Sequence, residues 1–151
     1  MGILLSEIFD SRAIILNLEG RTKEALFTEL SDAIANVHPE FDRAALLAAM
    51  WEREKKMSTG IGPGIAIPHA VCGGINIMAG AIGISQTGIG YDALDNKPVH
   101  LVFMLAMGEM AREHHLRILN QINRLANSEA LMMIKNAKDA KDVHAILTKF
   151  N

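Results

Sequence analysis

The chain has 151 residues and a formal net charge of −2, with 50% apolar and 21% charged residues. These values describe one folded domain, residues 1–151, with a sizeable core; they exclude a disordered chain and give no general basis for binding nucleic acid or acidic membranes. The single cysteine, Cys72, excludes an intramolecular disulfide and fits a reducing, cytoplasmic setting. No apolar run approaches the roughly 18 residues of a membrane-crossing helix, so no membrane insertion is expected.

In chain order, Leu4, Leu5, Ile8 and Phe9 predict a short opening helix, followed by a strand over Ala13 to Leu18. Thr22 is placed to cap a helix in which Leu26, Leu30, Ile34 and Val37 recur at helical spacing, ending before Pro39. Asp42 is placed to cap a second helix, with Leu46, Leu47, Met50 and Trp51 inward and Arg43, Glu52 and Glu54 outward. That helix runs out near Lys56. A glycine loop follows, then a short buried strand, Ile65-Ala66-Ile67, which Pro68 stops just before His69.

The runs Ile75–Ser85 and Val99–Met107 are apolar enough to be strands buried on both faces of a sheet, and residues 91–98 between them are turn material. Helices are expected over Glu113–Asn127, Ser128–Asn136 and Asp139–Phe150. The expected architecture is therefore α/β: a single three-layer domain in which helices flank a mixed sheet.

The segment from Ser58 to His69, STGIGPGIAIPH, carries the strongest chemical signal. Gly60, Gly62 and Gly64 permit close backbone approach, and successive amides in such a loop can form an anion-binding concavity. An imidazole held rigidly beside a phosphate-friendly loop points to phosphoryl transfer through His69. The hydroxyls of Ser58 and Thr59 either bind a phosphoryl group or cap a turn.

Arg53, just upstream, offers a fork of donors matched to phosphate, or else belongs to a solvated face with Glu52, Glu54, Lys55 and Lys56. His115 shares a helical face with Ile118, Leu119, Ile122 and Ala126, so it points inward from a first helical turn. There it either donates to a phosphoryl oxygen or bonds a backbone carbonyl. His114 lies about 100° away around that helix. His38, His100 and His144 read as surface or locally hydrogen-bonded histidines, and the nine methionines as core filler.

Other chemistries fit less well. The loop lacks the third glycine of a dinucleotide fingerprint and the GK[ST] tail of a nucleotide-binding P-loop. A zinc-dependent hydrolase using His69 and His115 is a remote alternative with poor ligand spacing, and no metal site is expected.

The segments STGIG and GIAIPH, then YDALDNKPVHLVFML from Tyr91 to Leu105 and HLRIL from His115 to Leu119, lie in an order and spacing that resemble a known family. It is the fructose/mannitol-type enzyme IIA of the bacterial phosphotransferase system, and within it the nitrogen-regulatory branch. The resemblance covers nearly the whole chain. It implies a mixed sheet flanked by helices and a phosphohistidine carrier needing no cofactor.

By this resemblance His69 is the phosphoryl acceptor, His115 the second active-site histidine and Arg53 the arginine beside the phosphoryl pocket. The donor would be the small carrier HPr. The recipient would be an enzyme IIB, or the phosphoryl group would act as a switch for regulatory partners. The resemblance leaves the sugar and the oligomeric state open. Pro63 stands where the family usually has asparagine, and Ala70 and Val71 where glycine and a basic residue follow the histidine, which makes the rim less positive and more apolar.

Overall fold

The computed structural model describes residues 4–151, the side chains at 110 and 112 excepted. The chain forms α1 (Leu5–Ile8), a 3-10 turn (Ser11–Ala13), β1 (Ile14–Ile15), α2 (Lys23–Val37), α3 (Arg43–Lys56), β2 (Ile65–Ala66), β3 (His69–Cys72), β4 (Met78–Ile89) and β5 (Val99–Gly108). A second 3-10 turn (Glu109–His114) leads into α4 (His115–Ala126), α5 (Ala130–Lys135) and α6 (Ala140–Thr148).

The strands make one mixed sheet. β5 is its centre, antiparallel to β4 and parallel to both β2 and β3 on its other edge, while β1 lies parallel to β4. Side chains alternate across β5. Leu101, Phe103, Leu105 and Met107 face a core built with α1, α4, α5 and α6; Val102, Met104 and Ala106 face a second core built with α2 and α3. Two apolar faces covered by two helical layers explain the unbroken apolar run of this strand. The expected three-layer domain is what forms.

The helix starts follow their caps. Thr22 Oγ1 accepts from the Ala25 amide at 3.1 Å, Asp42 from Ala45 at 2.9 Å and Asp139 from Asp142 at 2.8 Å. Leu26, Leu30 and Ile34 of α2 are fully buried. In α4, Ile118, Ile122, Leu125 and Ala126 are buried, whereas Leu116, Arg117, Asn120 and Asn123 face solvent.

Several boundaries differ from the sequence expectation. The strand expected over Ala13–Leu18 shrinks to Ile14–Ile15, because Asp10 first caps a 3-10 turn through Arg12. Leu18 nevertheless still donates to the Ile84 carbonyl at 2.9 Å. β4 begins at Met78 rather than Ile75 and continues past Ser85 to Ile89 through a register shift. The turn Glu109–His114 delays α4, so His115 is its first residue. Most consequential for function, the chain does not leave the sheet at Pro68. It resumes as β3 with His69 paired to Leu105, placing the histidine on a strand rather than on a loop.

Candidate functional site

His69 opens β3, and its ring is half-buried. Its Nδ1 lies 2.8 Å from the carbonyl oxygen of Ile67. A carbonyl only accepts, so Nδ1 carries the proton and Nε2 carries the lone pair of a neutral ring. Burial lowers the affinity of this ring for a second proton; the bond to Ile67 and the Glu54 carboxylate oppose that effect, and the Arg53 guanidinium reinforces it. The net result is an imidazole held below its ordinary pKa, which favours the nucleophilic form.

A cavity of about 480 Å³ opens beside this ring. Arg53, Glu52 and Lys56 line it from α3, Met107 from β5 and His115 from α4, with Ala49, Ala70 and Val71 as an apolar floor. The His69 and His115 rings stand 5.2 Å apart between centroids, inclined by 58°. Arg53 is half-buried, and its Nη1 donates to the Met57 carbonyl at 2.8 Å, which holds the guanidinium at the helix end. His69, His115 and Arg53, which come from three separate elements, therefore meet in one cavity. Two neutral-capable imidazoles and a cation around an open space can accept, surround and release a tetrahedral anion.

The glycine loop does something other than expected. Ser58, Thr59, Gly60 and Gly62 do not line this cavity. Every amide from Thr59 to Gly62 is spent inside the fold: Thr59 on Glu54 Oε2 at 3.0 Å, Gly60 on Ser58 Oγ at 3.2 Å, and Ile61 and Gly62 both on the Ile65 carbonyl at 3.0 and 3.3 Å. These four amides are therefore turned inward to the fold. The glycines serve packing and conformation instead. A Cβ at Gly60 would stand 2.7 Å from that of Ala93, and Gly62 has φ of +67°. Thr59 is buried, and its hydroxyl is turned inward to Glu54.

Glu54 was expected on the solvated face of α3 and is buried instead, at 6% exposure. Its Oε1 accepts from the Thr59 hydroxyl at 2.7 Å and its Oε2 pairs with Lys23 Nζ at 2.7 Å. Since the Thr59 proton goes to Glu54, the Tyr91 hydroxyl, 2.7 Å away, donates to Thr59. Burial and the Glu54 charge push the Tyr91 phenol well above its ordinary pKa, which keeps that donor protonated. Lys23 also lies 4.3 Å above the Tyr91 ring. The signal for this network was available: Leu46, Met50 and Glu54 are spaced by four along one buried helical stripe.

Of the remaining histidines, His100 and His144 are locally hydrogen-bonded as expected, whereas the buried Nε2 of His38 has no hydrogen-bond partner among the described residues. His100 Nδ1 bonds the Ser85 carbonyl at 3.0 Å, His144 Nε2 bonds the Ser6 carbonyl at 2.7 Å, and His114 Nε2 lies 3.5 Å from Glu113. Cys72 is a buried free thiol. Among the described residues no group of three or more His, Cys, Asp or Glu side chains is placed to hold a metal ion, so the zinc-hydrolase alternative has no ligand set.

Residues 7–150 match the family model described as phosphoenolpyruvate-dependent sugar phosphotransferase system, EIIA 2. The chain belongs to this family. It is 36% identical over 147 residues to the fructose-specific EIIABC component of the phosphotransferase system of Bacillus subtilis, matching 97% of this chain but spanning only 23% of that protein. It is 32% identical to a nitrogen regulatory protein of Pseudomonas aeruginosa, matching 96% of this chain and 95% of that one.

Among solved structures, the nitrogen regulatory protein IIA-Ntr of Neisseria meningitidis superposes with a TM-score of 0.86 at 31% identity, over 95% of this chain and 98% of that one. The Escherichia coli mannitol enzyme IIA, solved in complex with its phosphorylated enzyme IIB, shares the fold at a TM-score of 0.73 and 17% identity, over 93% of this chain and 99% of that one. As an enzyme IIA family member, the chain has the expected mixed-sheet fold, and among the described residues no helix is long and apolar enough to cross a membrane.

Proposed function

We propose that this enzyme IIA family member is a phosphohistidine carrier, with Nε2 of His69 as the phosphoryl acceptor. The observation that carries the reading is the bond from His69 Nδ1 to the Ile67 carbonyl at 2.8 Å, because it selects the reactive nitrogen of a ring that lines a cavity with Arg53 and His115. In the first step the lone pair on Nε2 attacks the phosphorus of a phosphohistidine on an HPr-type carrier. The donor N–P bond breaks as the Nε2–P bond forms, and the donor nitrogen keeps the electron pair. Nδ1 holds its proton on Ile67 throughout.

Arg53 and His115 stabilise the charge on the transferring oxygens, which is most of what phosphoryl transfer asks of a protein. The second step runs the same way onto an enzyme IIB. The partner named in the Escherichia coli mannitol complex supports that class of acceptor. The cytoplasm is the compartment this reading assigns. The donor bond is already activated, so the reading calls for neither nucleotide nor metal.

A second use of the same phosphoryl group is regulatory: the phosphorylation state of His69 selects protein partners. The TM-score of 0.86 at 31% identity to a nitrogen regulatory IIA supports it, while the 36% identity to a fructose-specific component supports the transfer reading. The phosphocarrier reading is tested by incubation with phosphoenolpyruvate, enzyme I and HPr. An acid-labile adduct that disappears in H69Q is expected, and labelling that persists in H69Q overturns it. Pull-downs with phosphorylated and unphosphorylated protein test the switch, for which identical partner sets are the contrary result.

A further inference from the structure

The transfer chemistry leaves one conspicuous group unused, the buried carboxylate of Glu54. A continuous hydrogen-bond path leads from it to the acceptor ring. Glu54 accepts from both the amide and the hydroxyl of Thr59, at 3.0 and 2.7 Å. The Thr59 carbonyl accepts from the Ile67 amide at 3.0 Å, and the Ile67 carbonyl accepts from His69 Nδ1 at 2.8 Å.

The middle of this path lies outside the sheet. β2 ends at Ala66 and β3 starts at His69, so Ile67 sits between two strands, beside a proline that has no amide to give. The Ile67 amide goes to Thr59 rather than to β5. The carbonyl that orients the imidazole is thus held by a loop residue, and that loop residue is held by Glu54. Lys23 and the Tyr91 hydroxyl complete the anchor from α2 and from the segment after β4. A buried ion pair contributes little net stability compared with apolar side chains of the same size, whereas its directional bonds fix a geometry.

We propose that Glu54 is a positioning residue for phosphoryl transfer at His69, acting through Thr59 and Ile67 to hold the ring in the tautomer that exposes a nucleophilic Nε2. This rests on the phosphocarrier reading of His69. The same chain of bonds assigns Thr59 a supporting place behind the ring instead of a contact with the phosphoryl group.

The test compares wild-type protein with E54A, E54Q and T59V by two independent readouts. One is the tautomer of His69 from nitrogen-15 NMR of the imidazole, which needs no phosphoryl donor. The other is the rate of phosphorylation by phospho-HPr, separated into kcat and KM. In E54A the ring is expected to populate the Nε2–H tautomer. Because a misplacement of about 1 Å costs on the order of 100-fold, kcat is expected to fall roughly 10- to 100-fold with KM changed less than about twofold. T59V, which keeps its amide on Glu54 and is nearly isosteric, should move both readouts in the same direction by less. E54Q, which keeps an acceptor for Thr59, should recover most of both.

A folded E54A or T59V with the wild-type tautomer and kcat overturns the proposal, as does a loss carried entirely by KM. If E54A does not fold, T59V decides alone. Wild-type protein that takes no phosphoryl group removes the carrier reading and the transfer role of Glu54 with it. The tautomer readout then separates that failure from a failure of the tether itself.

Discussion

The glycine loop and the cavity over β3 lie within a few residues of each other in sequence and use their polar groups in opposite ways. In the loop, each amide from Thr59 to Gly62 is satisfied internally and the glycines are needed for close packing and a positive φ. In the cavity, Arg53, His69 and His115 line open space. A glycine-rich segment beside a reactive histidine is therefore no proof that the glycines touch the ligand. Here the loop braces the fold, and Arg53, His69 and His115 are the side chains that meet at the cavity.

That contrast is broken or sharpened by substitutions on each side. H69Q should abolish phosphorylation by phospho-HPr, the largest effect, read as loss of an acid-labile adduct. R53Q should slow phosphorylation by about 100-fold or more, the cost of removing a donor aimed at developing charge. H115A should cost about tenfold, the worth of one charge-assisted hydrogen bond; both are read from initial rates on folded protein. On the loop side, G60A should lower unfolding free energy by about 1–3 kcal/mol through overpacking against Ala93 and Tyr91, seen in denaturant titration, with the rate per folded molecule changed far less than in R53Q. A G60A variant that keeps its stability and loses activity would make the loop part of the site and reverse the comparison.

The smallest effect concerns pH. Burial and Arg53 hold the His69 pKa below its ordinary 6.5. The attacking form is the neutral ring, so phosphorylation should persist as pH falls through 6.5 and fade only at the lower folded value. R53Q removes the repelling cation and should raise the His69 pKa, narrowing that range from the acid side. Following the His69 ring carbon signals with pH in both proteins measures the direction.

The helices and the central strand were legible because their signals are local: Thr22 and Asp42 cap, Leu26, Leu30 and Ile34 recur, and Val99–Met107 is uniformly apolar. The His115 reading was legible for the same reason, since helical spacing put it on the buried stripe. β3 was not, because Pro68 lacks an amide and reads as a stop, whereas its carbonyl accepts from Leu105 and the chain stays extended on its far side. Glu54 was misread because charge outweighed position; its four-residue spacing from Met50 and Leu46 placed it inside, and its partners Lys23, Thr59 and Tyr91 are distant in sequence. The direction of the loop amides was not legible, because composition shows that donors exist and not where they point.

The most direct test is to phosphorylate the protein through HPr and determine, by phosphorus-31 and nitrogen-15 NMR, which atom bears the phosphorus. A single phosphoryl group on Nε2 of His69, with a proton retained on Nδ1, is the predicted result. Phosphorus on Nδ1, or on any residue other than His69, contradicts the account.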